Sequence, residues 1–473
     1  METLKADICV IGAGSAGLSV AAGAVQLGRK TVLIEQGEMG GDCLNAGCVP
    51  SKALIAAATV AQTMRTAQLF GIAADAPEID GTAVHARLRD VIAKIAPNDS
   101  QERFEKLGVT VIRASAQFLD GRTVEAGGKR IRARRFVIAS GSRPSVPPLP
   151  GLAEFPYFTN ETIFEKDFIP PHLLVIGGGP VGCELAQAHR RLGAAVTVIE
   201  LQRLLPRDDE DAAGVVRDAL TGDGVKLLEG AQVTALRPYA DGVEAQIVTQ
   251  AASEIVRASH VLVAVGRTPN TEGLGLERAG IAYDAKGITV DHRLKTTNKR
   301  VYAIGDAIDA PRFTHVANYH AGLVIRNALF RLPVRADYAA IPRVTYTDPE
   351  LAQVGPTETG ARAMDPRVTV ARAEFADNDR AIMVDRDCGF AKFMLGRGGR
   401  MLGATIVGPH AGELIGLAAL AIGRKTKLSA IAAMTLPYPT LGEALKRAAG
   451  AYYTPALFSG RTRALVRVLS WFG

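Results

Sequence analysis

Residues 8–17 read I-C-V-I-G-A-G-S-A-G, and residues 173–182 read L-L-V-I-G-G-G-P-V-G. Each is a short apolar run followed by Gly-x-Gly-x-x-Gly, and the two copies lie 165 residues apart. The same offset relates Gly28 to Gly193 and Glu35 to Glu200, the acids that close the apolar runs Thr31–Glu35 and Thr197–Glu200. A strand, a glycine turn, a helix, a second strand and an acid 18 residues past the last glycine make the dinucleotide-binding pattern in its required context. The residue types follow from the chemistry. Gly12 and Gly177 permit the tight turn, Gly14 and Gly179 let backbone N–H groups approach a pyrophosphate, and Gly17 and Gly182 let a helix pack closely on its strand. Glu35 and Glu200 can each accept a hydrogen bond from a ribose 2′-hydroxyl and would repel a 2′-phosphate, which argues for NADH. Arg203 and Arg207 follow Glu200 closely and leave NADPH open. The alternative, two glycine turns serving only helix–strand packing, does not explain why both copies carry a correctly spaced acid.

At 473 residues the chain exceeds a single hydrophobic core. The pattern predicts an α/β protein with two Rossmann-like dinucleotide-binding domains and a C-terminal α+β domain. Residues 1–150 form the first part of one nucleotide domain and end in the connector Ser140-Gly141-Ser142-Arg143-Pro144 with Pro147, Pro148 and Pro150. Residues 151–275 form the second nucleotide domain, closed by Gly266-Arg267-Thr268-Pro269-Asn270. Residues 276–340 return to the first through Ile304-Gly305-Asp306, and residues 341–473 carry strands near 368–375, 391–395 and 403–407 and helices near 411–422 and 441–449. A composition 48% hydrophobic and 22% charged excludes disorder, collagen and coiled coil. A net charge of +7 with 5% aromatics gives no basic, aromatic-studded stripe, so no nucleic-acid partner is expected. Five cysteines do not make a secreted disulfide scaffold. No signal-peptide pattern and no apolar run of about 18–20 residues is present, so a soluble cytoplasmic enzyme is expected.

Cys9, Cys183 and Cys388 are scattered, but residues 40–52 read G-G-D-C-L-N-A-G-C-V-P-S-K and hold Cys43 close to Cys48. A close pair in an intracellular protein points to redox or metal chemistry. Positions five apart on an ideal helix differ by about 140° in azimuth, so the sulfurs meet only if the first turn is distorted. Asn45 and Gly47 suit such a distortion. Spacing permits a disulfide; two unpaired thiols or a metal clip are the alternatives.

These motifs, in this order, resemble the class I pyridine nucleotide–disulfide oxidoreductases, which include dihydrolipoamide dehydrogenase, glutathione reductase and mercuric reductase. The likeness runs through both fingerprints, Cys43 and Cys48 with Lys52, Ser140-Gly141, Glu184, Gly266-Arg267-Thr268-Pro269-Asn270 and Gly305-Asp306. It continues through Thr347-Asp348-Pro349-Glu350 and from Gly408 to Ala411-Gly412-Glu413-Leu414-Ile415. The resemblance implies FAD in the first nucleotide site, NAD(P)H in the second, and a head-to-tail homodimer formed by the C-terminal domain. It implies that Gly12, Gly14, Gly17, Glu35, Ser140, Gly141 and Asp306 hold FAD. Gly177, Gly179, Gly182, Glu200 and Gly266 would serve the nicotinamide nucleotide. Lys52 and Glu184 would pair near flavin and nicotinamide, Cys48 would be the thiolate against the flavin, and Cys43 the outer thiol that meets the acceptor. No residue is assigned to a resident metal.

One position departs from the disulfide-reducing members, which carry His-Pro-Thr-x-x-Glu as a His–Glu dyad. Residues 438–443 read Y-P-T-L-G-E, so Tyr438 stands at the histidine position with Glu443 in register. A phenol of pKa about 10 is roughly one part in a thousand ionised at pH 7, whereas an imidazole near 6.5 is poised for proton exchange. Lipoamide or glutathione turnover is therefore expected to be poor, with His315 the first candidate for a substitute base. Mercuric reductases resemble the chain more closely here, because they too carry Tyr, which helps hold the metal ion. They also use a C-terminal cysteine pair, and no cysteine follows Cys388; with the fingerprint starting at residue 12, no N-terminal metal-binding domain is expected either. The acceptor is thus a small molecule or metal ion: a thiophilic ion, an unusual disulfide or a quinone. Dihydrolipoamide dehydrogenase proper and a soft-metal-binding flavoprotein without turnover are the competing readings. After Glu443 no acid follows, while Lys446, Arg447, Arg461, Arg463 and Arg467 are basic and Leu465, Val468, Leu469 and Phe472 fall at helical spacing beside Trp471. This tail either packs on its own dimer or makes peripheral membrane contact.

Overall fold

The structure is a computed structural model in which residues 2–250 and 252–472 are described. It divides into two compact units, one made of Met1–Gly177, Ala188–Leu201 and Gly230–Ala336, the other of Gly178–Gln187, Gln202–Glu229 and Asp337–Gly473.

In the first unit the run containing Ile8–Ile11 becomes strand Thr3–Ile11, which pairs in parallel with Thr31–Glu35 on one side and Lys129–Ile138 on the other. Strand Thr110–Arg113 extends the sheet beyond Thr31–Glu35. The far edge of Lys129–Ile138 is shared: its first half pairs antiparallel with Thr123–Ala126, and its last three residues pair in parallel with Val301–Ala303. Parallel strands covered on both faces need near-continuous apolar sequence, and Ile8, Cys9, Val10, Leu33, Phe136, Val137 and Ile138 are all completely buried. Helix Ser15–Gln26 follows the glycine turn and lies against helix Thr314–Ala328, with Ser19 Oγ donating to Asn318 at 2.8 Å. The second fingerprint likewise joins strand His172–Ile176 to helix Pro180–Arg191 and strand Ala195–Glu200, and His260–Val263 pairs in parallel beside His172–Ile176. Both fingerprints therefore turn at the carboxyl ends of parallel strands, where such sheets bind ligands.

The second unit is built on a five-stranded antiparallel sheet in the order Pro342–Thr345, Glu350–Val354, Arg400–Gly408, Phe390–Gly396, Thr369–Glu374. Helices Ala411–Gly423 and Glu443–Leu457 cover it, burying Ile415, Ala418, Ala444, Leu445 and Ala448. The expected strands and helices are present, with ends shifted by a few residues. The largest shift is in the last of these helices, which begins at Glu443 and continues to Leu457. Lys392 points from the sheet into a buried acidic pocket, with Nζ 2.8 Å from Asp209, 3.0 Å from Glu358 and 3.2 Å from Asp211.

The helical stretch Gly41–Phe70 is long and apolar enough to cross a membrane by length and composition alone. It carries the cysteine pair, and its alanines and leucine at Ala53, Leu54, Ala58 and Ala61 are buried within the protein.

Candidate active site

The cysteine segment is two helices, not one. Helix Gly41–Asn45 holds Cys43, the backbone breaks at Ala46 and Gly47, and a new helix begins at Cys48 and runs to Thr66. Asn45 secures the break by donating to the carbonyls of Met39 and Gly41 at 3.0 and 2.9 Å. Gly47 is required by close approach, since a Cβ there would lie 2.9 Å from the Asp42 backbone carbonyl oxygen. The distortion expected at Asn45 and Gly47 is this break, and it lets the two thiols hydrogen-bond to each other. Both are free thiols.

The two sulfurs are not equivalent. Cys48 sits in the first turn of a long helix, where partial positive charge collects. Its pKa is lowered to about 6, chiefly by a hydrogen bond from Cys43 that outweighs the cost of burial, with further help from the Thr314 hydroxyl and the Lys52 charge. Thr314 Oγ1 lies 3.5 Å from Cys48 Sγ. Cys43 is pushed far up, because its proton is held by the Cys48 thiolate and because it is partly buried. Thr314 opens helix Thr314–Ala328, and the exposed His315 next to it stacks on Phe313 at 5.2 Å.

A polar frame holds this segment. Arg267 donates from Nε to Ser142 Oγ at 2.7 Å and from Nη1 to Asn160 Oδ1 at 3.2 Å, and its Nη2 stands 3.5 Å from Asp42. Asn160 donates to Asp42 and to the Ala46 carbonyl at 3.2 and 3.1 Å. Ser142 donates to Asp306 at 2.7 Å. Asp306 is thereby tied to the redox segment through side chains far apart in sequence. Ser140 and Gly141 are locked to Asn270, with Ser140 Oγ donating to the Asn270 carbonyl at 2.7 Å and the Asn270 N–H donating to Gly141 at 3.0 Å.

The first glycine turn suits a pyrophosphate. Gly12 has φ +102° and lies so close to Ala139 that a Cβ would be 2.3 Å from its carbonyl oxygen. Gly14 has space around it, and Gly17 packs on the Gly12 carbonyl. Glu35 turns back toward this turn, accepting from the N–H of Ala13 at 2.5 Å and of Gly37 at 2.7 Å. The carboxylate thus stands beside the glycine turn, as a ribose-binding acid must. Gly141 and Gly266, at φ +70° and +129°, also face open space. These features fit FAD.

In the second fingerprint Gly177 has φ +112° against the Ala264 carbonyl, Gly179 has open surroundings, Gly182 lies in helix Pro180–Arg191, and Glu200 ends its strand. Arg203, which sequence left open as a phosphate ligand, is spent on its own loop. Its guanidinium donates to the carbonyls of Leu204, Leu205, Pro206 and Asp208 at 2.7–3.2 Å. Arg207 is exposed. Glu184 is buried and accepts from the Tyr346 N–H at 2.9 Å. Lys52 and Glu184 belong to different units.

Tyr438 is 67% exposed, and its phenol donates to Asp379 at 2.8 Å, a bond that raises its pKa. Glu443, expected in register with it, instead accepts from the Thr440 N–H at 3.2 Å. Sequence reasoning missed Asp379, Thr314, Asn160 and the bridging role of Arg267. Only Arg267 carried a signal, as a member of the Gly266–Asn270 motif.

Residues 6–321 match the family described as pyridine nucleotide-disulphide oxidoreductase, and residues 341–449 match its dimerisation domain. The chain is 35% identical to a mercuric reductase of Streptomyces lividans over 94% of this chain and 95% of the relative. It is 37% identical to a dihydrolipoyl dehydrogenase of Thermus scotoductus, over 95% and 98%. Among solved structures it resembles LpdA of Mycobacterium tuberculosis (TM-score 0.86, 27% identity, 94% and 99% covered). It also resembles a Cu(II) complex of the HOCl-induced flavoprotein disulfide reductase RclA of Escherichia coli (TM-score 0.83, 26% identity, 93% and 98% covered).

Proposed function

The chain belongs to the pyridine nucleotide-disulphide oxidoreductases, FAD-dependent enzymes that draw on NAD(P)H, and from that premise we propose that it passes electrons through Cys43 and Cys48 to a thiophilic metal ion. The matching dimerisation domain makes the working form a homodimer. The observation that carries the reading is the asymmetric placement of the dithiol: Cys48 opens helix Cys48–Thr66 with the Thr314 hydroxyl 3.5 Å away, which favours a thiolate there, while Cys43 sits on the preceding helix Gly41–Asn45.

FAD, when bound, supplies two-electron exchange between nicotinamide and sulfur. We assign its binding to Gly12, Gly14, Gly17, Glu35, Ser140, Gly141 and Asp306, and the nicotinamide nucleotide to Gly177, Gly179, Gly182, Glu200 and Gly266. These fall in the domain reading of residues 1–150 with 276–340 for FAD and 151–275 for NADH. NADH brings two electrons and one proton, which convert the Cys43–Cys48 disulfide into a protonated Cys43 thiol and a Cys48 thiolate. Lys52 and Thr314 hold Cys48 as thiolate, and Glu184 is assigned to the nicotinamide. Cys43 meets the acceptor. Re-forming the S–S bond then releases the one proton of Cys43, while a divalent ion takes two electrons and becomes zero-valent. Tyr438 is assigned to the ion because it offers a phenol where a dyad would offer an imidazole. Glu443 is kept as the acid of that segment.

A second reading, dihydrolipoamide dehydrogenase, is favoured by the Thermus relative. There a disulfide takes the two electrons and two protons and splits into two thiols. Cytoplasmic placement, with the tail touching a membrane, completes the reading. The test is NADH consumption by the holoenzyme with Hg(II), Cu(II), lipoamide, glutathione disulfide and quinones in turn. Turnover with a metal ion that is lost in both Cys43→Ser and Cys48→Ser supports the proposal. Rapid lipoamide turnover by the wild type, with none on metal ions, overturns it in favour of the second reading. Where lipoamide turnover is slow, Tyr438→His should raise it at least about tenfold, the low end of acid–base assistance.

A further inference from the structure

We propose that a hollow at the edge of the first unit's sheet binds a linear oligophosphate, apart from both glycine turns and independently of the acceptor. The outer edge of strand Lys129–Ile138 is covered twice: residues 129–132 pair with Thr123–Ala126, and residues 136–138 pair with Val301–Ala303. Positions 133–135 pair with neither, so the two covering strands part there. A cavity of about 490 Å³ draws its lining from both sides of this parting: Asp120, Gly121, Arg122 and Arg132 from one, Asn298 and Arg300 from the other.

The walls are tied together. Asn298 Nδ2 donates to the carbonyls of Gly121 and Ala279, each at 3.0 Å, and its Oδ1 accepts from the Arg300 N–H at 3.1 Å. Asp120 Oδ1 accepts from the Arg122 N–H at 2.7 Å, which shapes the turn carrying that arginine. Backbone from distant parts of the sequence is thus fixed around the hollow before any ligand arrives. Its charge is unbalanced, because three guanidinium groups share the lining with the single carboxylate of Asp120. Among the described residues no acid forms an ion pair with Arg122, Arg132 or Arg300. Nearby acids are spent on other cations: Glu2 on Lys129 at 3.6 Å, Asp7 on Arg134 at 3.4 Å and Asp291 on Lys299 at 3.9 Å. The excess is felt at Lys295, whose pKa is lowered by burial and then by the charges of Arg135, Arg293 and Lys299, against the pull of Asp291.

The occupant follows from the donor set. A guanidinium presents paired N–H donors that match two oxygens of one phosphate, and all three cations are arginines. Three of them around one hollow suit several phosphates in a row better than one. The volume falls in the range of small-ligand sites, about 300–1,000 Å³. Yet no lining residue is apolar or aromatic, so a nucleotide base has nothing to stack on. This favours a bare phosphate chain over a whole nucleotide. It also favours a small anion over a protein surface, whose central apolar contacts the hollow could not return. The six residues lie outside 341–449, the span that matches the dimerisation domain, and in the other compact unit.

The test titrates tripolyphosphate calorimetrically into the FAD-loaded homodimer, with saturating NAD⁺ present so that the second glycine turn is occupied. The expected result is one site per protomer, weakened by salt and at least about tenfold tighter for tripolyphosphate than for orthophosphate or citrate. ATP should bind no more tightly than tripolyphosphate. A hydrogen bond to a charged group is worth about tenfold or more in affinity, so Arg132→Gln and Arg300→Gln should each weaken binding by at least that factor. Asp120→Asn keeps an acceptor for the Arg122 N–H and removes the opposing charge, so it should tighten binding severalfold, a gain that misfolding cannot produce. Each variant should keep its flavin absorbance and oxidise NADH with the same acceptor at the wild-type rate. Absence of binding heat in the presence of NAD⁺ would overturn the proposal, as would binding that these substitutions leave unchanged. Citrate bound as tightly as tripolyphosphate would overturn the assignment to phosphate, and tighter binding of ATP the assignment to a bare chain.

Discussion

The thiolate at Cys48 sets how reduced enzyme responds to pH. A thiol whose pKa is lowered on folding lends stability at pH above the ordinary thiol range near 8.5, and loses that contribution as pH falls through the folded value. For reduced enzyme the window runs down to about 6. Thiolate absorbance in the ultraviolet should therefore titrate with a midpoint near 6 in the wild type. Since the hydrogen bond from Cys43 is the largest cause, Cys43→Ala should move the midpoint toward the ordinary range more than Thr314→Val does. An unchanged midpoint in Cys43→Ala would mean that helix position and Lys52 suffice. Little of this asymmetry was legible in sequence. The cysteine spacing and the flexible Asn45 and Gly47 foretold a distorted turn, but Thr314 reaches Cys48 across 266 residues and lies in no recognisable pattern. Asp379 is hidden for the same reason, as its bond to Tyr438 spans 59 residues.

At the scale of elements, the glycine turns and the buried acid cluster make contrasting demands. The first turn is legible because its constraint is local: a positive φ and a backbone carbonyl at contact leave only glycine. Gly12→Ala should cost on the order of 2 kcal/mol or more and yield protein that purifies without flavin, seen as loss of absorbance near 450 nm. The Lys392 cluster is illegible, because its acids come from the starts of two helices distant in sequence, and an isolated Lys in an apolar strand looks like a solvated side chain. Burial works against the Lys392 charge, but hydrogen bonds to Asp209 and Glu358 overcome it and raise its pKa. Lys392→Met should leave Asp209, 4% exposed, without its cation and destabilise by about 3–5 kcal/mol. Asp211→Asn, at a side chain 55% exposed, should cost less than about 1 kcal/mol. The comparison is made by denaturant midpoints, and equal losses would refute the cluster's role.

For the whole molecule, two nucleotide sites in one chain must keep their cofactors distinct. With Arg203 engaged by four carbonyls, the exposed Arg207 is the one of the two arginines following Glu200 that is left to favour a 2′-phosphate. NADH should exceed NADPH in kcat/KM, and Glu200→Ala should narrow the gap without reversing it. A wild type that prefers NADPH severalfold would show that Arg207 governs the site. The strand pairing of the first unit carries a separate consequence, for synthesis. Lys129–Ile138 waits for Val301–Ala303 to occupy the last stretch of its edge, and that strand lies about 160 residues further along the chain. At ribosomal speeds of about 5–20 residues per second, this stretch of edge stands open for roughly 8–30 seconds on every nascent chain. For that interval Phe136, Val137 and Ile138 offer unpaired backbone to any passing strand, so yield in a cell should depend on chaperone supply and translation rate more than on the stability of the finished enzyme.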